Sequence, residues 1–324
     1  MAHHPIHQAT ENSLFGDLTR DEFYKKHRIL HHQEFIIIPT RRNTTTRIYT
    51  QTWRLDSPAR PKALLAMIHG YNSDSSSLLQ LTAVAFAKLG FHVCALDLPG
   101  HGLSDGPRGH IPDIRPVLDE CALVFDSARA AHPKLPAFLY GESLGGAISI
   151  LLCLRQQAAW RGLVLNGAMC GISAKLKPPW PLEMLLPLAG FLAPTWRVVP
   201  KKRLGSRSFK EGWVQNLARK CSTSSGKRAG SSRPPASTAA ELMRVCGEIG
   251  RRCGELEIPM LVVHGERDWV CSAESARKVF EMARSRDKTL KIFPGMWHML
   301  IGEPKEGVEL AFGTIFSWLI DRTS

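Results

Sequence analysis

The sequence predicts an α/β fold: a mostly parallel, doubly wound sheet flanked by helices and broken by one helical insertion. Three observations predict it. Short apolar runs alternate with stretches of helical spacing between residues 63 and 165. Those runs are apolar throughout, as strands covered on both faces must be, and do not alternate. The rhythm stops near Gly171 and resumes at Pro259.

The elements follow in order. Residues 1–30 read as an N-terminal arm, polar and without expected order over the first 17; it has no apolar stretch of the kind a secretory signal needs. Glu34–Pro39 and Thr46–Trp53 read as an opening antiparallel pair, rich in β-branched and aromatic residues. The parallel strands are Ala63–Ile68, Phe91–Leu96, Ala137–Tyr140 and Gly162–Leu165. Helices over Ser77–Leu89, Ile114–Ala131 and Leu144–Gln157 connect them, which requires right-handed crossovers. After the insertion come a strand at Pro259–His264, a helix at Ala273–Arg284, a strand at Thr289–Phe293 and a helix at Glu306–Ile320. The core is therefore discontinuous, 31–170 and 247–324, with a cap of residues 171–246 between the sixth and seventh strands. Within the cap, 200–237 reads as a mobile basic segment with linker composition.

The net charge is +13, but Arg197–Arg233 alone holds eleven Lys or Arg against Glu211. The other 287 residues carry only +3. A uniformly basic nucleic-acid binder is thereby excluded, and the segment lacks the interleaved aromatics of a single-strand platform. Such a segment is compatible with peripheral attachment to an anionic membrane. No run approaches the roughly 20 apolar residues that span a bilayer. The eight cysteines form no C-x-x-C pair and several sit in apolar runs, so buried free thiols and a cytoplasmic location are expected. His3, His4 and His7 have no partner ligands at zinc spacing, and neither metal nor cofactor is expected. The sequence leaves the oligomeric state open.

Chemistry concentrates at Gly141-Glu142-Ser143-Leu144-Gly145, a G-x-S-x-G directly after a strand and directly before a helix. So tight a turn admits only small residues two positions either side of the serine, and it lifts the hydroxyl clear of the sheet. A serine hydroxyl needs a base to take its proton. His298 follows the last strand, in a loop that can overhang the edge where Ser143 sits. Asp268 follows the preceding strand in Gly265-Glu266-Arg267-Asp268, with Glu266 as the fallback acid. The order serine, acid, histidine is the one this architecture uses. The Leu144 N–H and the Tyr71 N–H, after the strand ending at Ile68, are expected to receive an oxyanion. His69, Gly70, Trp180, Leu185 and Met299 are assigned to the substrate, with His69 also read as a brace of its loop. Asp97, after the fourth strand, is expected to bond nearby backbone.

HGYN (69–72), DLPGHGLSDG (97–106), GESLGG (141–146), KPPWPLE (177–183), PTWRVVP (194–200), VVHGERDWVC (262–271) and PGMWHMLIGEP (294–304) run along nearly the whole chain. Together they resemble the α/β-hydrolase superfamily, and within it the plant monoacylglycerol lipase-like serine hydrolases, a group that includes caffeoylshikimate esterase. The resemblance implies the triad Ser143, Asp268 and His298, a cap domain, and ester substrates with one long or bulky acyl group. It fades across Ser222–Gly230. Three readings follow. The first is an esterase of monoacylglycerol or lysophospholipid type. The second is an esterase of hydroxycinnamoyl esters. The third is a ligand receptor that keeps the fold without turnover.

Overall fold

The computed structural model describes residues 3–39, 44–177, 182–197, 208–224 and 233–323. Eight strands form one sheet in the order β1-β2-β4-β3-β5-β6-β7-β8. β1 (Ile29–Pro39) pairs antiparallel with β2 (Thr45–Leu55), and β2 pairs antiparallel with β4 (Phe91–Leu96). Every other pairing is parallel, through β3 (Ala63–Ile68), β5 (Ala137–Glu142), β6 (Gly162–Asn166), β7 (Met260–Gly265) and β8 (Lys288–Phe293). β3, β5, β6 and β7 are buried at every position, which explains their unbroken apolar reading.

One face of the sheet packs on α3 (Ile114–Ala131), α4 (Leu144–Arg155) and α8 (Ala273–Met282) through Phe125, Ile148 and Val279. The other packs on α2 (Leu78–Lys88) and α9 (Lys305–Ile320) through Phe86, Phe312 and Ile315. Among the described residues, no helix is long and apolar enough to cross a membrane.

The N-terminal arm departs from expectation, because it is packed. Thr19 caps α1 (Arg20–His27) in a capping box with Glu22, and Phe23 and Tyr24 are buried. Upstream, Ile6 is buried, and the His4 ring lies 4.4 Å from that of Phe312 on α9. Burial lowers the His4 pKa to about 3, so the ring is neutral at physiological pH.

Among the described residues, three α-helices lie between β6 and β7: α5 (Leu182–Leu192), α6 (Gly212–Ser224) and α7 (Ala236–Arg252). The expected core boundary at 246/247 falls inside α7, whose Leu242, Val245 and Ile249 join the core that includes α4. The expected basic linker is also partly helical, since α6 buries Val214 and Leu217. Trp180 and much of the 200–237 segment lie outside the described residues.

Candidate active site

The site forms at the carboxyl ends of β3, β5, β7 and β8, where open α/β sheets place their ligands. Ser143 stands between β5 and α4 with φ 52° and ψ −117°, a backbone region that costs roughly 1–3 kcal/mol for a residue with a side chain. Glycines surround it for a steric reason. A β-carbon at Gly145 would lie 2.1 Å from the Ile68 carbonyl oxygen, and one at Gly141 would lie 2.4 Å from that of Gly145. At Gly146 it would meet Ala168 Cβ at 2.4 Å. The Ser143 N–H donates to the Asn166 carbonyl at 3.1 Å, which ties the turn to β6.

The three residues singled out for chemistry meet here. His298 Nε2 lies 3.0 Å from Ser143 Oγ, and His298 Nδ1 lies 2.7 Å from Asp268 Oδ2. Both distances are in hydrogen-bond range and define one tautomer: Nδ1–H donates to the carboxylate, and Nε2 accepts from the serine hydroxyl. Asp268 Oδ1 accepts the Val270 and Cys271 N–H groups at 2.7 and 2.9 Å. His264 Nε2 lies 3.0 Å from Oδ2, off the line of an ideal hydrogen bond. Burial alone raises a carboxyl pKa. The charge and hydrogen bond of His298 and the close approach of His264 outweigh that, and they hold Asp268 below the ordinary carboxylate range. Glu266, the fallback acid, accepts the Gly295 N–H and does not join this group.

Gly70 lies against the serine: a β-carbon there would be 3.1 Å from Ser143 Cβ. Among the described residues, neither the Tyr71 nor the Leu144 N–H donates to a backbone carbonyl. The Tyr71 hydroxyl donates to the Gly109 carbonyl at 2.7 Å and fixes the loop. Met299 lines a small cavity with Ser143 and His298, and its N–H donates to the Ser208 carbonyl at 2.9 Å.

One substrate assignment changes. His69 is fully buried; its Nδ1 faces the Gly70 carbonyl at 2.7 Å and its Nε2 accepts the Leu98 N–H at 2.9 Å. With both nitrogens engaged, it braces the loop and offers nothing to a substrate. Leu185 faces solvent at 51% exposure while Leu186 is the residue turned inward, because which side of α5 is buried depends on its packing against α7. Asp97 does bond backbone: Oδ1 takes the Ser75 N–H at 2.7 Å and Oδ2 that of Leu103 at 2.8 Å.

Sequence reasoning missed four neighbours of the site. Cys271 Sγ lies 3.9 Å from Ser143 Oγ, and burial keeps its thiol protonated. His264 adjoins Asp268. Glu142 and Asn166 line the small cavity beside Ser143 and His298. Glu142 was visible as the variable position of the nucleophile motif; His264 and Asn166 had no signal beyond lying at strand ends, and Cys271 none beyond following Asp268 in the chain.

A family model described as serine aminopeptidase, S33 (Hydrolase_4), matches residues 59–305, most of the chain. The chain belongs to this family. This α/β hydrolase is 29% identical to caffeoylshikimate esterase of Arabidopsis thaliana over 96% of its own length and 91% of that protein. It is 30% identical to monoglyceride lipase of Homo sapiens, over 82% and 84% of the two chains. Its fold resembles that of a soluble variant of Saccharomyces cerevisiae monoglyceride lipase, with a TM-score of 0.75 at 16% identity, covering 91% of this chain and 96% of the other. The α/β hydrolase is thus a carboxylic ester hydrolase of the monoglyceride lipase-like serine hydrolases.

Proposed function

We propose that this enzyme hydrolyses monoacylglycerol- or lysophospholipid-type esters through an acyl-enzyme on Ser143. The observation that carries the reading is the chain of contacts from Ser143 Oγ to His298 at 3.0 Å and on to Asp268 at 2.7 Å. His298 takes the serine proton as Oγ attacks the ester carbonyl. Asp268 holds the ring in its tautomer and stabilises the imidazolium. The N–H groups of Leu144 and Tyr71 receive the oxyanion, worth about 10²–10³ in rate for each donor. His298 then protonates the leaving alcohol, and water releases the acyl group by the same route.

The reading of a lipid substrate rests on α5 and the residues just beyond it. Phe191 is 82% exposed, Trp196 71% and Met184 70%, with Leu188 and Leu192 beside them. So much clustered apolar surface on a soluble face marks a contact site. Together with the positive 197–233 segment, it suits an acyl chain delivered from an anionic membrane on the cytoplasmic side. In this reading α5 and α6 act as the cap over Ser143.

A second reading is hydrolysis of a hydroxycinnamoyl ester. It is favoured by the relative named caffeoylshikimate esterase, whose similarity extends over 96% of the chain. A fluorophosphonate activity probe competed by monoacylglycerols, lysophospholipids and caffeoylshikimate separates the two. Protection by glycerol-based lipids supports the first reading, and protection by caffeoylshikimate alone overturns it. Absence of labelling in the intact protein supports the receptor reading instead.

A further inference from the structure

Glu142, the variable residue of G-x-S-x-G, has a use that the triad leaves unexplained. It ends β5 and is 7% exposed, so its carboxylate has lost nearly all its water. That loss is costly unless charge or hydrogen bonds compensate it. Compensation here is lopsided. The Tyr140 hydroxyl donates to Oε1 at 2.6 Å and the Asn166 amide donates to the same oxygen at 3.4 Å. An uncharged glutamine would satisfy both of these neighbours with less desolvation, so the negative charge needs another reason.

The cavity supplies one. Glu142 lines a small, partly open cavity of about 10 Å³ with Ser143, Asn166, His298 and Met299, which leaves room for about one water. We propose that Glu142 is a positioning residue for His298, its buried carboxylate favouring the imidazolium that forms when Ser143 gives up its proton. This rests on the reading of His298 as the base. Where so little water fits, charges interact more strongly than in bulk water.

The surrounding groups fit the assignment. Burial raises the Glu142 carboxyl above the ordinary range, while Tyr140, the His298 charge and Asn166 pull it back. Tyr140 is pushed well above its usual value, chiefly by burial, and remains a donor. On its other contacts His298 meets Asp268, with His264 behind it, and Cys271 stands nearby as a neutral thiol. Under the same loop, Glu303 accepts the Trp297 N–H at 2.6 Å and pairs with Lys210 at 3.5 Å. Asp268 and Glu142 are therefore two carboxylates acting on one imidazole, one by direct contact and one across the cavity.

The test is the pH dependence of kcat/KM for a water-soluble short-chain ester, measured on the wild type, Glu142→Gln, Glu142→Asp and His298→Ala. The wild type shows an acid limb where the imidazole protonates, and His298→Ala abolishes the activity. If His298→Ala keeps both activity and limb, the base reading fails, whatever Glu142 does. With that control in place, Glu142→Gln moves the limb to lower pH by about 1 unit, and Glu142→Asp leaves it within a few tenths of the wild type. The kcat of Glu142→Gln falls about tenfold with KM little changed. A limb that stays put in Glu142→Gln overturns the proposal. Should Glu142→Gln fail to fold, Glu142→Ser removes the charge in a smaller side chain and moves the limb the same way; an unmoved limb there overturns it equally.

Discussion

Asp268 presents its two oxygens to different tasks: Oδ1 is held by the Val270 and Cys271 N–H groups, and Oδ2 faces His298 Nδ1 at 2.7 Å. Asp268→Asn keeps the shape but turns an amide toward Nδ1, which favours the wrong tautomer. Activity is expected to fall roughly 10⁴-fold, as in other serine hydrolases, in steady-state kinetics at neutral pH. The folded-state carboxyl titrates below its ordinary 3.8, so its stabilisation is complete above that value and is lost as pH falls through the lower, folded one. The stability difference between wild type and Asp268→Asn therefore narrows in strong acid.

His69 sets a different pH dependence. Burial lowers its pKa from 6.5 to about 4, against the opposing hydrogen bond to the Gly70 carbonyl. The unfolded chain binds this proton more readily, so stability is full above pH 6.5 and declines as pH falls toward 4. His69→Gln is expected to be less stable at pH 8, because the Gly70 carbonyl loses its Nδ1–H donor. It is also expected to have a shallower stability slope between those two values. Urea denaturation at a series of pH values measures both.

At Gly145 the constraint is steric. Gly145→Ala drives a β-carbon into the Ile68 and His69 carbonyl oxygens, at 2.1 and 2.7 Å. A loss of about 1–3 kcal/mol is expected from overpacking, with a displaced nucleophile and reduced labelling by the fluorophosphonate. Gly250, inside α7, meets nothing within 4 Å, and Gly250→Ala should stabilise by about 0.4–1 kcal/mol. Chemical denaturation of the two variants gives opposite signs.

On α5, Phe191→Ser combined with Leu192→Ser should weaken binding to vesicles of anionic phospholipid. About tenfold per residue is expected if each side chain enters the lipid, from roughly 1.5 kcal/mol of burial. Hydrolysis of a water-soluble ester should be unchanged, since both side chains face solvent. Vesicle sedimentation with parallel kinetics checks this.

The central strands were legible because complete burial writes itself as continuous apolar runs, as in Ala63–Ile68 and Met260–Gly265. Ser143 and Asp268 were legible because each stands just past such a run, and His298 because it follows the last strand. The arm was misread because His4 finds Phe312 and Glu309 on α9, some 300 residues away in sequence, and the turn around Ile6 packs on α2. Its helix did carry a local signal, the Thr19-x-x-Glu22 spacing of a capping box. The insertion resisted for a related reason. α5 accommodates Pro187, and composition alone does not reveal which of Leu185 and Leu186 turns inward. Glu142 had no legible role, since its meaning lies in Tyr140, Asn166 and the cavity it shares with His298.

The central claim is that one hydroxyl, Ser143 Oγ, becomes a nucleophile through His298. Its most direct measurement is the intact mass of the protein after fluorophosphonate treatment, with peptide mapping, for the wild type and Ser143→Ala. One adduct on the peptide containing Ser143 is expected in the wild type, and none in Ser143→Ala, whose ester turnover should fall on the order of 10⁶-fold. An adduct on another residue, or a Ser143→Ala variant that retains most of its turnover, would contradict the account.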